Sequence, residues 1–299
     1  MISEFVASND LSVIEQITSG HRCGHIYRVR NRSGQLLVLK AAEDVEGKEE
    51  IRRNLEGYKK LKILGLDYFI PYIVSSSVSE EGGHILMEDC GNDLAALLRG
   101  GQIDPSTYNS FESELLKIYA KSLRDGIDPS GHINFQIETA KNLYRDFFKA
   151  HFGSSELNGA VETLHSLMPQ QTTRFCFASW DFMPGNIFFS GVGMKFADPT
   201  ESVTGIPIID LACFSGSLGD VYRYAGAKEW YENLKKFSLG PVAEMLCLSR
   251  KEAEQIYLLG RLVQTLLSLR ATIQQDSANK TVFVGRTEKY IKQLLFLKG

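Results

Sequence analysis

In the N-terminal part of the chain, apolar residues fall in short runs broken by turn formers. Ile14 to Ile17, Ile26 to Val29 and Leu36 to Leu39 are separated by a Gly-containing loop over Ser19 to His25 and a turn at Asn31 to Gly34. That order predicts strand, loop, strand, turn, strand. Between Gly47 and Leu64 the spacing changes to three and four, through Ile51, Leu55, Tyr58, Leu61 and Leu64, which predicts a helix. Ile70 to Val74 and His84 to Met87, around a polar turn at Ser79 to Gly83, read as two more strands. Past Asn92 the character becomes helical: a short helix over Asp93 to Leu98, a longer one over Ile137 to Phe152, and amphipathic helices over Glu252 to Thr272 and Thr287 to Leu297. The aromatic stripe Tyr144, Phe147, Phe148 and Phe152 reads as core, and Arg124 to Gly131 and Gln275 to Lys280 as loops. Ile187 to Phe189 and Met194 to Ala197 flank Ser190 to Gly193 as a β-hairpin. The pattern is that of an α+β chain, a small antiparallel sheet followed by a larger, mainly helical part.

Composition narrows the function classes. With 299 residues and 43% hydrophobic content the chain can bury a core, and a net charge of −3 leaves no global basic surface, so nucleic acid is not expected as the main partner. The cysteines Cys23, Cys90, Cys176, Cys213 and Cys247 are scattered, with no Cys-x-x-Cys pair, and are expected as free thiols in a reducing compartment. The N-terminus has no basic segment leading into an apolar run, and no stretch reaches membrane-spanning length, so a cytoplasmic enzyme without a membrane partner is the expectation. His21 and His25 lie four apart in a predicted loop without carboxylates at metal spacing, and metal ligation there is not expected.

The chemistry concentrates in Ser179-Trp180-Asp181-Phe182-Met183-Pro184-Gly185-Asn186-Ile187 and in Asp198, which follows the hairpin. Phosphoryl transfer leaves a protein little covalent work, so catalysis is mostly positioning and charge neutralisation. Asp181 can orient the proton of an attacking hydroxyl, while Asn186 and Asp198 offer oxygens to hard Mg²⁺ ions. The hairpin would carry Asn186 at its start and Asp198 at its end.

These residues, followed by Pro207-Ile208-Ile209-Asp210-Leu211-Ala212, resemble the aminoglycoside phosphotransferase and choline kinase family of protein-kinase-like folds. The resemblance implies a bilobal fold, with a nucleotide-binding lobe over 1–91, a hinge near 88–92, and a catalytic and acceptor-binding lobe over 92–299. It implies Asp181 as catalytic base, Asn186 and Asp198 as Mg²⁺ ligands, and Asp210 as a brace of the catalytic loop from a helix. Lys40, ending the strand Val38-Leu39-Lys40, matches the lysine that grips the α- and β-phosphates. Its expected partner is a glutamate on the following helix; Glu56 is preferred, with Glu49 and Glu50 as alternatives. Adenine would bond backbone groups near Glu88 and Cys90 with Met87 packed behind it, and the loop carrying Gly20 and Gly24 could fold over phosphates. Asp125 and Asp128 are candidate acceptor contacts, and the aromatic stretch from Asp220 to Glu232 could line the acceptor site or pack. The implied cofactors are ATP, with GTP possible, and Mg²⁺; the implied partner is a small hydroxyl acceptor such as an aminoglycoside-like antibiotic, sugar or amino alcohol. The family usually has His-Gly ahead of the catalytic Asp, where this chain has Ser179-Trp180. A protein kinase is the nearest alternative. Against it stand Met183, where such kinases carry a phosphate-contacting lysine, Pro199-Thr200 after Asp198, and the absence of an Ala-Pro-Glu segment before Asp210. A nucleotide-binding protein without catalysis is the other alternative.

Overall fold

The computed structural model describes residues 2–17, 25–101, 103, 105–128, 131–143, 145, 174–190, 193–200, 203–220, 227–274 and 280–296. Its contacts divide the chain into two compact units, Met1–Leu94 with Gly185–Val203, and Ala95–Pro184 with Thr204–Gly299. The hairpin segment, which lies far past residue 91 in sequence, thus groups with the N-terminal unit.

The N-terminal unit is built on a five-stranded antiparallel sheet: β1 (Ser12–Ile17), β2 (His25–Arg30), β3 (Leu36–Ala42), β4 (Ile73–Val78) and β5 (Gly83–Glu88), in the order β1-β2-β3-β5-β4. Alternation along β3 assigns its faces. Leu37, Leu39 and Ala41 join Val29 and Leu86 in one cluster, against which Ile2, Phe5 and Val6 of helix α1 (Ile2–Ser8) pack. Lys40 lies between these positions in sequence, so its side chain leaves by the opposite face, and it is only 2% exposed. That side belongs to α2 (Val45–Ile63), which starts where the Asp44 carboxylate accepts the Gly47 N–H at 2.7 Å. Its buried stripe runs Gly47, Ile51, Asn54, Tyr58 and Leu61, at spacings of four and three. The hairpin β8 (Ile187–Ser190) and β9 (Gly193–Phe196) pairs Ile187 with Phe196, and Phe196 stacks on Phe69 at 5.8 Å between ring centroids.

The second unit is mainly helical. Around α6 (Pro207–Asp220) pack α7 (Ala227–Phe237) and α8 (Arg250–Gln274), and α8 also meets α5 (His132–Leu143) and α9 (Lys280–Phe296). After the short α3 (Leu94–Arg99), Phe111 on α4 (Pro105–Ser122) stacks on Phe214 at 5.4 Å and touches Phe182, joining the segment around Asp181 to the core. A small sheet sets β10 (Thr204–Gly205) and β6 (Arg124–Asp125) on either side of β7 (Arg174–Phe177).

Several elements depart from the sequence reading, among them α1, which was not expected, and β4, which runs Ile73–Val78 instead of Ile70 to Val74. Helix α4 was not anticipated, although Tyr108, Phe111, Leu115, Ile118 and Tyr119 make a helical stripe. Residues 124 and 125 form a strand because they pair with Phe175 and Arg174. Helix α5 starts at His132, ahead of the expected 137, because Asp128 accepts the His132 N–H at 2.9 Å and caps it. Helix α9 starts at Lys280 instead of residue 287. The aromatic stripe of Tyr144, Phe147, Phe148 and Phe152, and residues 221–226 of the stretch from Asp220 to Glu232, lie outside the described residues.

Candidate active site

In the N-terminal unit the Lys40 ammonium donates to Glu50 Oε1 at 2.9 Å, to Asn54 Oδ1 at 2.7 Å, and to the Asp198 carboxylate. A lysine buried this fully needs paired carboxylates and hydrogen bonds to remain charged. Glu50 and Asn54 are four apart on α2 and so share a helix face with Lys40 in front of them. The same helix holds the segment after the hairpin. Asn54 Nδ2 donates to Pro199 O at 2.9 Å, and Tyr58 OH accepts the Asp198 N–H at 3.3 Å. A Cβ on Gly57 would lie 2.3 Å from Thr200 O, so this approach is open only to glycine. Asp198 has φ 61°, in the left-handed region, a strained geometry for a non-glycine residue that its partners must maintain. Across the hairpin, the Ala197 N–H donates to Asn186 O at 2.9 Å, which brings together the ends of β8 and β9 that adjoin Asn186 and Asp198.

The second unit carries Ser179 to Pro184. Asp210, 4% exposed on α6, accepts the N–H groups of Ser179 at 2.5 Å and Trp180 at 3.3 Å, fixing the backbone just ahead of Asp181. Burial pushes the Asp210 carboxyl up to about 7; the two amide donors pull it down, and the Asp181 charge adds to the rise. Trp180 has φ 60°, a conformation that costs a side-chain-bearing residue about 1–2 kcal/mol relative to glycine. Three contacts offset that cost. The indole stacks on His132 at 4.5 Å with the rings within 10° of parallel, leans on Phe135 at 4.8 Å, and donates Nε1–H to Thr204 O at 3.1 Å. His132 is wholly buried, accepts the Ile206 N–H on Nδ1 at 3.3 Å, and sets Nε2 3.6 Å from Asp210. With Nδ1 accepting, the neutral ring carries its proton on Nε2, and burial lowers its pKa to about 3.

No family model and no curated protein sequence matches this chain. Solved structures do. The choline kinase LicA from Streptococcus pneumoniae superposes with a TM-score of 0.60 at 15% identity, over 98% of this chain and 97% of that one. Aminoglycoside-3'-phosphotransferase of type VIII gives 0.52 at 15% identity, over 84% and 92%. The amicoumacin kinase hAmiN, solved with AMP-PNP, Ca²⁺ and Ami, gives 0.57 at 11% identity, over 98% and 92%.

This is a bilobal protein-kinase-like fold.

Within the kinase-like fold, Lys40 meets Glu50 and not the preferred Glu56, which is exposed. The reason is helical geometry: residue 56 is two past Asn54, a rotation of about 200° from the face that meets Lys40. Met87 is buried opposite Val38, with the Tyr58 hydroxyl 3.9 Å from its sulfur. The Glu88 N–H is taken by Tyr72 O at 2.9 Å, and its carboxylate meets Lys195 at 3.3 Å. Burial pushes the half-buried Cys90 thiol up to about 12, so it stays protonated at neutral pH. Gly20 and Gly24 lie outside the described residues. Asp128 is used in capping α5, and exposed Asp125 pairs with Arg174 at 2.9 Å. Cys90, Cys176, Cys213 and Cys247 are free thiols.

Sequence reasoning passed over Asn54, Gly57, Tyr58 as a polar group, and His132. One signal was available for Asn54: it is the polar side chain in an otherwise apolar or glycine stripe on α2. His132 offered none, since only the fold brings it to Trp180.

Proposed function

We propose that the chain is an ATP-dependent kinase that transfers the γ-phosphoryl group to a hydroxyl of a small molecule. The observation that carries this reading is the buried Lys40 ammonium, gathered by Glu50, Asn54 and Asp198. Such a lysine is pre-set to grip nucleotide phosphates, and it adjoins the carboxylate best suited to the metal. The donor set fits Mg²⁺. Among the described residues no group of three or more His, Cys, Asp or Glu forms a ready-made cage, and Mg²⁺ is usually held by one or two protein oxygens together with phosphates and water. Asn186 and Asp198 would hold it, and when bound it would neutralise charge developing on the phosphates.

Asp181 would accept or orient the proton of the attacking hydroxyl, on a loop whose backbone Asp210 holds. Adenine recognition would fall to Glu88 O and the Cys90 amide, since the Glu88 N–H is already used by Tyr72. The solved relatives include kinases of choline and of amicoumacin and an aminoglycoside phosphotransferase, which supports a small hydroxylated acceptor over a protein. No helix among the described residues is long and apolar enough to cross a membrane.

The test is Mg²⁺-dependent nucleotide turnover by wild type and Asp181→Ala across hydroxylated metabolites and aminoglycosides, with ³¹P NMR of the products. Acceptor-stimulated turnover should fall by about three orders of magnitude or more in the variant, with nucleotide affinity retained. Phosphate transfer to proteins but to no metabolite would replace the acceptor class. Nucleotide binding without transfer to any acceptor would replace the enzyme with a binding protein.

A further inference from the structure

Helices α7, α8 and α9 enclose a cavity of about 680 Å³ in the second unit, walled by Tyr231, Tyr257 and Tyr290 and by lysines 235, 289 and 292. Behind the tyrosines lies Arg261, 3% exposed. It donates Nε–H and Nη2–H to the Tyr290 oxygen at 3.1 and 2.8 Å and Nη1–H to Ala212 O at 3.2 Å, with its Cζ 5.4 and 5.3 Å from the Tyr231 and Tyr290 ring centroids. Among the described residues no carboxylate forms an ion pair with it. One neutral phenol and a carbonyl satisfy part of its hydrogen-bonding capacity but supply no counter-charge, and a buried cation without one is costly. Counting Arg261, cations at the cavity outnumber carboxylates four to two, the latter being Glu254 and Glu288. The volume is many times that of a bare ion, and tyrosine faces suit a flat ring.

We propose that this cavity binds an organic phosphate, its ring against the tyrosines and its phosphate at Lys289, Lys292 and the Tyr290 hydroxyl. The tyrosines alone would also suit a cationic amine. The excess of cations opposes one. The site is separate from the residues assigned to phosphoryl transfer, so it stands or falls independently of the kinase reading.

The experiment uses the full chain without nucleotide and titrates phenyl phosphate, inorganic phosphate, phenol, benzoate and phenyltrimethylammonium, by calorimetry and ligand-observed NMR. Phenyl phosphate should bind at one site at least tenfold more tightly than each of the others. Lys289→Gln/Lys292→Gln, at two exposed positions, should weaken it at least tenfold with the melting temperature unchanged, whereas Lys40→Ala should leave it within twofold. Equal or better binding of phenol, benzoate or the ammonium ion overturns the proposal. So does unchanged affinity in the double variant, loss in Lys40→Ala, or no binding of phenyl phosphate at millimolar concentration; each of these leaves Arg261 as a cross-brace of α6, α8 and α9.

Discussion

Replacing Gly57 by alanine adds one methyl group to α2 at the place where the helix meets the segment carrying Asp198. The new Cβ would lie 2.3 Å from Thr200 O, 2.9 Å from Pro199 Cβ and 3.0 Å from Pro199 O. Restoring ordinary contact requires the 198–200 backbone to retreat by roughly 1 Å, since carbon atoms pack best at about 3.5–4.0 Å. Overpacking of this kind typically costs about 1–3 kcal/mol. The retreat also stretches the Asn54 to Pro199 and Asp198 to Tyr58 hydrogen bonds, worth about 1 kcal/mol each. Against this, alanine is favoured over glycine in a helix interior by about 1 kcal/mol. The net expectation is a loss of about 2–4 kcal/mol, or a melting temperature lower by roughly 3–6 °C for a chain of this size. Gly285→Ala is the control: it also lies in a helix, α9, with nothing within 4 Å of its Cβ, and should be neutral or slightly stabilising. Thermal unfolding of both variants checks this, with the KM for ATP expected to rise only in Gly57→Ala. If Gly57→Ala melts at or above wild type, the close approach of α2 to Pro199 and Thr200 is wrong.

Two further outcomes follow from the same geometry. Glu50→Gln should raise the KM for nucleotide at least severalfold while Glu56→Gln stays at wild type, as read by steady-state kinetics; the reverse order would restore Glu56 as the lysine partner. The Asp210 and His132 pair makes opposing contributions to the dependence of stability on pH. Asp210 rises from 3.8 to about 7 on folding, so its contribution is present at low pH and is lost as pH rises through 7. His132 falls from 6.5 to about 3, so the folded state is disfavoured as pH drops below 6.5. Between about pH 4 and 6.5 the two slopes, each about 1.4 kcal/mol per pH unit, cancel. Denaturant titrations of Asp210→Asn should therefore uncover stability that increases with pH in that window, whereas a flat profile would refute the neutral pairing.

The legible parts of the sequence were those governed by local periodicity. The stripe on α2, the strands around Lys40 and the hairpin between Asn186 and Asp198 were all readable, because side-chain period and turn composition determine them before any tertiary contact forms. What escaped depended on contacts across long separations. Glu56 is preferred to Glu50 until the direction of the α2 face is known, and that face is set by packing against β3 and β5. Ser179-Trp180 registered only as a departure from His-Gly. The fold shows a tryptophan in a backbone conformation suited to glycine, held there by a histidine nearly fifty residues earlier.

The grouping of the hairpin with the N-terminal unit bears on how the chain is made. Lys40 and Asp198 are separated by 158 residues, and the unit that contains both is interrupted by Ala95–Pro184. During synthesis, the emerging sheet and α2 must wait for roughly two-thirds of the polypeptide before the buried ammonium meets its second carboxylate and Phe69 meets Phe196. A nascent chain stalled near residue 95 would therefore hold a sheet whose Lys40 has Glu50 and Asn54 but lacks Asp198, and an uncovered aromatic ring. Such a species is a natural client for chaperones and proteases, and a poor choice of boundary for expressing the N-terminal part alone.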